Sequence, residues 1–365
     1  MRASEHCENN VTNAGITDAP PACDRAVVWP SMQQEIQYCT TPDGVRLAYS
    51  MIGKGTSIVR TPHWFAHLEY DLQGPIFRHQ ILGLAHRHSV LRYDGRGIGL
   101  SQRNVSEISF DHLVADLETV VDRAGLETFA LCGFSHGGAV ATAYASHHPE
   151  RVSHLIIYGG FVRGLLHRDN PEKDKKLLEL QRTLIREGWG SDQDAYREFF
   201  TSQFIPDGTI EHLRSLNQLQ RIAATPEVAE RILCLTADTN VVDLLPKVRS
   251  PTLVVHARGD LRVPFSEGQL IAAGIAGAKF VSLETRNHLI LPNEPANRTF
   301  FTTVAAFLGD PPIRGALPGT ATFKERVQNS VVAIERNWLI KSIAIVAGLA
   351  AAAVSFVQLF RLLRN

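Results

Sequence analysis

Short apolar runs alternate with amphipathic segments along the chain from Glu35 onward. The apolar runs have the length and composition of β-strands, and they lie at residues 35–41, 45–52, 57–61, 88–93, 128–132, 153–158, 252–257 and 279–284. The amphipathic segments have helical periodicity, and the clearest lie at residues 74–87, 109–124, 137–148, 265–276 and 294–308. Strands followed by helices at this spacing predict an α/β fold with a mostly parallel eight-stranded sheet and helices on both faces. The turn Thr41-Pro42-Asp43-Gly44 joins the first two strands as a hairpin, so the sheet is predicted to begin antiparallel.

Residues 161–250 interrupt this alternation, because they are charged and helix-like and the next strand begins only after Pro251. A helical insertion between two core strands is predicted to form a lid over the ends of the strands. The alternating region is expected to form one domain at residues 32–308. A polar, flexible leader is predicted at residues 1–31 and a Gly/Pro-containing linker at residues 309–322.

Composition restricts the classes of function. Lys plus Arg and Asp plus Glu both number 37, so net charge gives no reason to expect a nucleic-acid partner. The five cysteines are scattered and include no C-x-x-C pair, which favours a reducing compartment over a disulfide framework. The leader has no basic start followed by an apolar run, so a secretory signal is not expected. His63 and His67 have helical zinc-ligand spacing but lack the glutamate of a zincin motif, and neither a metal nor a cofactor is expected.

The segment GFSHGG, which begins at Gly133, separates an apolar run from an Ala-rich segment with helical character. In a G-x-S-x-G pattern the serine occupies a strained turn between a strand and a helix. Side chains at Gly133 and Gly137 would collide with neighbouring backbone, and the strain presents the Ser135 hydroxyl at the carboxyl edge of the sheet. Gly and Ser are also ordinary turn residues, so the pentapeptide alone is a weak signal. The strand before it and the helix after it favour a nucleophile.

A hydroxyl nucleophile needs a base, and the base needs a carboxylate that fixes its tautomer. Asp260 follows the predicted strand 252–257, and His288 follows the predicted strand 279–284. Taken alone, each could be a capping aspartate or a surface histidine. In the order Ser, Asp, His, each just beyond a strand, they predict a catalytic triad. Ser135 is then the nucleophile, His288 the general base and acid, and Asp260 the residue that orients His288.

Residues beside the nucleophile are predicted to hold the oxyanion and the substrate. The backbone N–H of His136 lies at the start of the helix after Ser135, where amide groups have no partner within the helix. A second oxyanion donor is expected from the loop after the third strand, with Trp64 the first candidate and His63 the next. A packing role for Trp64 fits equally well. His63 and Phe134 are also predicted to contact the substrate.

These features resemble the α/β-hydrolase fold family over roughly residues 35–308. Besides GFSHGG, the run RYDGRGIGLS from Arg92 resembles that family's D-x-R-G-x-G-x-S turn. The resemblance implies that Asp94 and Arg96 brace the loop before the nucleophile without taking part in the chemistry. PHWFAHLEYD, RYDGRGIGLS and RNHLILPNEP are similar to hydrolase modules that bacteria fuse to cyclase or LuxR-type regulator domains. Asn287 departs from the pattern, since many members have Gly or Ser before the histidine, and an apolar segment stands where a regulator domain would follow.

The nucleophile narrows the reaction that the resemblance implies. Haloalkane dehalogenases and epoxide hydrolases of this fold use aspartate at the position of Ser135. The chain is therefore predicted to be a serine hydrolase that cleaves a carboxyl ester or related acyl substrate through an acyl-enzyme. Thioesters, amides, lactones and activated carbon–carbon bonds stay open as substrates. The alternative is a ligand-sensing or signalling module with little turnover, because fold and function are separable.

Residues 323–365 are predicted to form a C-terminal helix and membrane anchor. Lys341 and Arg361 bracket 19 residues without a charge. At ~1.5 Å per residue this stretch spans ~28 Å, close to the ~30 Å hydrocarbon core of a bilayer. The alternative is an Ala-rich helix packed on the domain. The anchor predicts a single-pass membrane protein whose catalytic domain faces the cytoplasm, an acyl substrate that includes lipid among the candidates, and a homodimer paired through small residues of the helix.

Overall fold

The computed structural model describes residues 34–313, 315 and 317. Within them the strands are β1 (Gln37–Thr40), β2 (Arg46–Ile52), β3 (Thr56–Arg60), β4 (His88–Tyr93), β5 (Phe129–Phe134), β6 (Val152–Tyr158), β7 (Thr252–Ala257) and β8 (Lys279–Leu283). The α-helices of the same residues are α1 (Leu68–Gln73), α2 (Arg78–Ala85), α3 (Phe110–Arg123), α4 (Gly137–His147), α5 (Pro171–Gly188), α6 (Ala195–Phe204), α7 (Ile210–Ala223), α8 (Pro226–Asp238), α9 (Phe265–Gly274) and α10 (Pro295–Leu308). Every predicted strand is present.

The helix predicted at 74–87 is present but shorter. α2 begins at Arg78 and ends at Ala85, and a separate helix, α1, ends just before the segment. Gly74 closes α1, since its N–H donates to the Tyr70 carbonyl at 2.7 Å. Pro75 follows directly, and a proline lacks the N–H that would continue the helix. The chain therefore turns between two short helices.

The eight strands of the described chain form one sheet in the order β1-β2-β4-β3-β5-β6-β7-β8. β2 pairs antiparallel with both β1 and β4, and the remaining neighbours are parallel. The hairpin between β1 and β2 closes where the Gly44 N–H donates to the Thr41 carbonyl at 2.9 Å. The predicted mostly parallel sheet with an antiparallel start is confirmed.

Helices cover both faces of this sheet. On one face α3, α4 and α9 pack against the strands in a core cluster that includes Leu117, Tyr144 and Ile271. On the other face α2 meets α10, where a side chain at Gly83 would lie 2.4 Å from the Phe301 ring. Each fully buried Leu, Ile or Phe side chain of such a core stabilises the fold by about 1.5–3 kcal/mol. This packing fixes the carboxyl ends of β5, β7 and β8.

The four helices α5–α8 lie between β6 and β7 in the chain and contact loops beyond the carboxyl edge of the sheet. The Leu289 N–H donates to the Phe204 carbonyl at 3.1 Å, and the Gly99 N–H donates to the Ala223 carbonyl at 2.9 Å. An aromatic cluster joins this segment to the loop after β3 and consists of Trp64, Phe65, Trp189, Phe200 and Phe204. The α5–α8 segment thereby packs against loops near Ser135.

Three predicted regions lie wholly or partly outside the described residues. They are the leader at residues 1–31, half of the linker at 309–322 and the predicted C-terminal helix and anchor at 323–365. The membrane anchor and the helix pairing stay predictions. Among the residues that the structure describes, no helix combines the length and the apolar character that crossing a bilayer requires.

Candidate active site

β5 turns sharply into α4 at Ser135. Among the described residues, Ser135 is the one non-glycine residue with a positive φ, at 51°. A left-handed conformation costs about 1–2 kcal/mol for a residue with a Cβ atom. A Cβ atom at Gly133 would lie 2.7 Å from the Gly137 carbonyl oxygen, and one at Gly137 would lie 2.5 Å from the Pro62 carbonyl oxygen. The steric need for both glycines is therefore confirmed.

Asp260 and His288 form a buried pair beside this turn. The His288 Nδ1–H donates to Asp260 Oδ2 at 2.7 Å, and Asp260 Oδ1 accepts the backbone N–H groups of Arg262 at 2.8 Å and Val263 at 2.9 Å. Burial alone would raise the pKa of Asp260, but the charge and hydrogen bond of His288 and the Val263 N–H hold it below its usual value. An ionised Asp260 fixes the His288 tautomer with its proton on Nδ1, so Nε2 carries the lone pair.

Ser135 and His288 line the same cavity, in and around which about 280 Å³ is not occupied by protein atoms, part of it open to solvent. Its wall is mostly aromatic and aliphatic and consists of His63, Trp64, Phe65, Phe77, Ser135, Phe204, Leu216, Gln220, His288 and Leu289. The structure thus brings Ser135, His288, His63 and Trp64 together around one space, with Asp260 directly behind His288. The α5–α8 segment contributes Phe204, Leu216 and Gln220.

His63 and Trp64 lie on this wall with different surroundings. The His63 ring stacks on the Phe77 ring with centroids 4.3 Å apart. Burial, and next the charges of Arg60 and His288, hold the pKa of His63 well below its usual value, so its imidazole is neutral. The Trp64 ring contacts Phe204 at 6.1 Å between centroids. Trp64 therefore has the packing role that the sequence left open, and its backbone N–H stays a candidate oxyanion donor.

The side chains of His136 and Phe134 point away from the cavity of Ser135. His136 Nε2 lies 3.0 Å from the Thr239 hydroxyl, and burial lowers the pKa of His136 to about 4. Strand alternation turns Phe134 toward α10, where its ring packs against Tyr158 at 5.4 Å and Phe300 at 6.2 Å. Phe134 is not among the cavity-lining residues of the described chain, so the predicted substrate contact finds no support there. The backbone N–H of His136 stays a predicted oxyanion donor.

The loop before the nucleophile is braced as the resemblance implied. Asp94 Oδ2 accepts the backbone N–H groups of Leu68 at 3.2 Å and Leu100 at 2.8 Å. The Arg96 guanidinium donates to both oxygens of Asp116, at 2.9 and 2.6 Å. Bidentate pairs of this kind are stronger and more directional than single hydrogen bonds. Both side chains hold the loop in place from outside the cavity.

Asn287 has a role that the sequence did not reveal. Its Oδ1 accepts the Asp207 backbone N–H at 2.9 Å, and its Nδ2 donates to Glu294 Oε1 at 2.8 Å. Asp207 lies between α6 and α7, so Asn287 ties the loop that carries His288 to the α5–α8 segment. An asparagine directly before His288, where many family members have Gly or Ser, is a signal in the sequence, but its partner Asp207 is not visible there.

A second histidine also adjoins Asp260. His256 Nε2 lies 3.1 Å from the Val263 carbonyl oxygen and 3.6 Å from Asp260 Oδ2. Burial lowers the pKa of His256, while the charge of Asp260 acts in the opposite direction. His256 therefore supports the turn that carries the carboxylate. Its position at the end of the predicted strand 252–257 was the signal that could have identified it.

Solved structures and curated proteins resemble this chain. Among solved structures, an esterase from Exiguobacterium antarcticum superposes with a TM-score of 0.65 at 20% identity, over 75% of this chain and 99% of that one. An identity this low shows the fold alone. Among curated relatives, the RutD protein of Azorhizobium caulinodans, whose name proposes a carbamate hydrolase, is 30% identical over 252 residues, 66% of this chain and 88% of that protein. A pyrrolizixenacetamide deacetylase of Xenorhabdus hominickii is 25% identical over 256 residues, 68% of this chain and 91% of that protein.

A sequence model of one family matches more than half of the chain. The model describes the α/β hydrolase fold, and the match covers residues 70–295. This range contains the turn at Ser135 and the loops of Asp260 and His288. The chain therefore belongs to the α/β hydrolase fold family.

Proposed function

We propose that the protein is a serine hydrolase that cleaves a small carboxyl ester or related acyl substrate through an acyl-enzyme. One observation carries the proposal: the strained turn of Ser135 and the hydrogen-bonded pair of His288 and Asp260 meet at one buried cavity. A hydroxyl beside an imidazole whose other nitrogen is held by a carboxylate is the arrangement that activates a serine.

In the first half of the reaction, Ser135 Oγ attacks the carbonyl carbon and its proton moves to His288 Nε2. The carbonyl π electrons move to the oxygen, which becomes the oxyanion. When the tetrahedral intermediate collapses, the bond to the leaving group breaks and His288 gives its proton to the leaving oxygen or nitrogen. Asp260 stays ionised and stabilises the imidazolium that forms between these steps.

In the second half, a water molecule takes the place of the leaving group. His288 Nε2 accepts a proton from the water as its oxygen attacks the acyl carbon. The bond between the acyl carbon and Ser135 Oγ then breaks, and the proton returns to Ser135. The products are the acid and the free enzyme, so no cofactor is consumed.

The oxyanion is proposed to bind at the start of α4. The first N–H groups of a helix have no partner within it and carry the positive end of the helix dipole. The backbone N–H of His136 is at this position, and the backbone N–H of Trp64 is the proposed second donor from the loop after β3. Donors of this kind typically contribute about 10²–10³-fold each to the rate.

The substrate is proposed to be small, because aromatic and aliphatic side chains line the cavity beside Ser135 and His288 closely and leave little room in it. The α5–α8 segment would act as the lid, since three of its residues complete the cavity wall. The names of two relatives, a carbamate hydrolase and a deacetylase, support an acyl group bonded to oxygen or nitrogen.

Replacement of Ser135 tests the proposal. Ser135→Ala is expected to lower kcat on 4-nitrophenyl acetate by at least about 10⁴-fold and to abolish labelling by a fluorophosphonate probe. Asp260→Asn is expected to lose less, because the oxyanion donors and the base remain. Ser146→Ala is a matched control, since this serine of α4 bonds the Ala143 carbonyl at 2.8 Å. Turnover that survives in Ser135→Ala would contradict the mechanism, and folded wild-type protein that fails to label would favour the sensing alternative.

A further inference from the structure

Gln220 lies on the cavity wall with a buried amide oxygen that has no hydrogen-bond partner in the described part of the chain. The residue is 0% exposed and belongs to α7. Buried polar atoms in folded proteins are nearly always paired, because an unpaired one has lost its hydration without replacement. An orphaned acceptor beside unfilled space therefore points to a ligand that supplies the missing donor.

The orientation of this amide is set by two buried neighbours. The Thr201 hydroxyl donates its hydrogen to Asn217 Oδ1 at 2.6 Å, so its oxygen is left to accept. Gln220 Nε2 donates to that oxygen at 2.7 Å and to the Leu216 carbonyl at 3.4 Å. Both hydrogens of the Gln220 amide nitrogen are thus engaged. The end of the amide that is left for a ligand is the acceptor, Oε1.

The rest of the wall makes this acceptor selective. Phe65, Phe77, Phe204, Leu216 and Leu289 supply apolar surface around the same space. In such surroundings a methyl group placed against Oε1 leaves the oxygen unpaired, whereas an N–H or O–H group satisfies it. A site built to bond a polar hydrogen discriminates far more strongly than an apolar pocket that senses one methyl group.

We propose that Gln220 Oε1 accepts a hydrogen bond from an N–H or O–H group of the substrate and thereby selects polar acyl substrates over their methyl isosteres. These polar acyl substrates comprise primary carbamates, esters of small hydroxy acids and monoesters of short diols. This inference rests on the proposed function, because it describes the substrate of the same cavity. Gln220 acts in specificity and takes no part in bond breaking.

Two pairs of substrates that differ by one polar hydrogen-bearing group test the inference. 4-Nitrophenyl carbamate and 4-nitrophenyl acetate exchange NH₂ for CH₃ on the acyl side. 2-Hydroxyethyl acetate and propyl acetate exchange OH for CH₃ on the leaving-group side. For each pair, the ratio of kcat/KM for the donor-bearing member to that for its isostere is measured in wild type, Gln220→Met and Gln218→Met. Gln218→Met is the matched control, because Gln218 is a half-buried residue of the same helix that bonds Arg221.

In Gln220→Met the ratio is expected to fall about 10–100-fold in at least one pair, the factor that one lost buried hydrogen bond corresponds to. Gln218→Met is expected to keep the wild-type ratio. Thr201→Val is a second variant, which removes the acceptor of Gln220 Nε2. The Gln220 amide can then rotate and turn Oε1 away from the substrate, so the same ratio is expected to fall. The inference is overturned if Gln220→Met keeps the wild-type ratio in both pairs. If Gln220→Met does not fold, the wild-type ratio in both pairs for Thr201→Val overturns it instead. Activity that survives in Ser135→Ala would instead overturn the proposed function, so the two failures are distinct.

Discussion

Gly159 gives a direct test of how closely the activity depends on the position of His288. This glycine follows β6 with φ of +54°, and its N–H donates to the Val255 carbonyl at 2.9 Å. A Cβ atom at Gly159 would lie 3.0 Å from His288 Cε1 and 3.2 Å from His288 Nδ1. Gly159→Ala therefore places a methyl group against the ring that is proposed to move the proton.

The size of the effect has two parts. Alanine in the left-handed region costs about 1–2 kcal/mol of unfolding free energy, which lowers the melting temperature of a domain of this size by a few degrees. Carbon contacts are optimal at about 3.5–4.0 Å, so the His288 ring must shift by roughly 0.5 Å or more. A misplacement of 1 Å in a reacting group costs about 10²-fold in rate, and the shift is expected to lower kcat about tenfold.

Gly277→Ala separates the two parts. Gly277 has φ of +72°, and a Cβ atom there would meet no heavy atom within 4 Å. Both variants are expected to lose the same few degrees of melting temperature, measured by circular dichroism. Only Gly159→Ala is expected to lose kcat on 4-nitrophenyl acetate. Equal stability loss together with wild-type kcat in Gly159→Ala would refute the placement of His288 as the base.

Two further changes test the surroundings of the site. Asn287→Ser removes the side-chain hydrogen bonds to Asp207 and Glu294. It is expected to lower the unfolding free energy by about 1–3 kcal/mol, measured by urea unfolding, and to lower kcat, measured by ester turnover. An unchanged kcat would contradict the link to His288. His136→Gln tests the acid sensitivity of the fold: burial lowers the pKa of His136 to about 4 from about 6.5, so between these pH values the unfolded chain binds more protons and stability falls as pH falls. In the variant, the unfolding free energy is expected to change less with pH over that window, by up to about 1.4 kcal/mol per pH unit. The unfolding free energies are measured by urea unfolding at pH 6.5, 5.5 and 4.5. The same dependence on pH in variant and wild type would count against a neutral buried His136.

The strands, and the places of Ser135, Asp260 and His288 beyond strand ends, could be predicted because their signals are local. Each strand is an apolar run bounded by turn residues, and Ser135, Asp260 and His288 each stand just beyond such a run. The contact between Phe134 and the substrate stays a prediction, although strand parity speaks against it. Alternate residues of β5 point to opposite faces, and counting forward from buried Leu131 places Phe134 on the opposite face, toward α10. Adjacency to Ser135 in sequence does not by itself bring Phe134 to the same cavity.

The contacts of the α5–α8 segment could not be predicted for a different reason. Gln220 and Asn217 fall on an ordinary amphipathic helix, where polar residues are usually solvated. Their burial depends on how α7 packs against α6, where Thr201 bonds both side chains, and helix packing angles are not encoded in the periodicity of one segment. The same limit applies to Asn287, whose partner Asp207 is 80 residues away.

The link through Asn287 bears on how this protein can diversify or be engineered. Inserted helical segments such as α5–α8 are attractive units to exchange between relatives that share a fold, because such segments shape a substrate pocket while the sheet stays constant. Here the side-chain amide of Asn287 joins the loop of His288 to the turn at Asp207, and it also donates to Glu294 at the start of α10. A chimera whose new α5–α8 segment offers no backbone N–H to Asn287 would leave the buried Asn287 side chain without one of its partners, next to His288. The α5–α8 segment, the loop that carries His288 and the start of α10 are therefore expected to function only when they are transferred together.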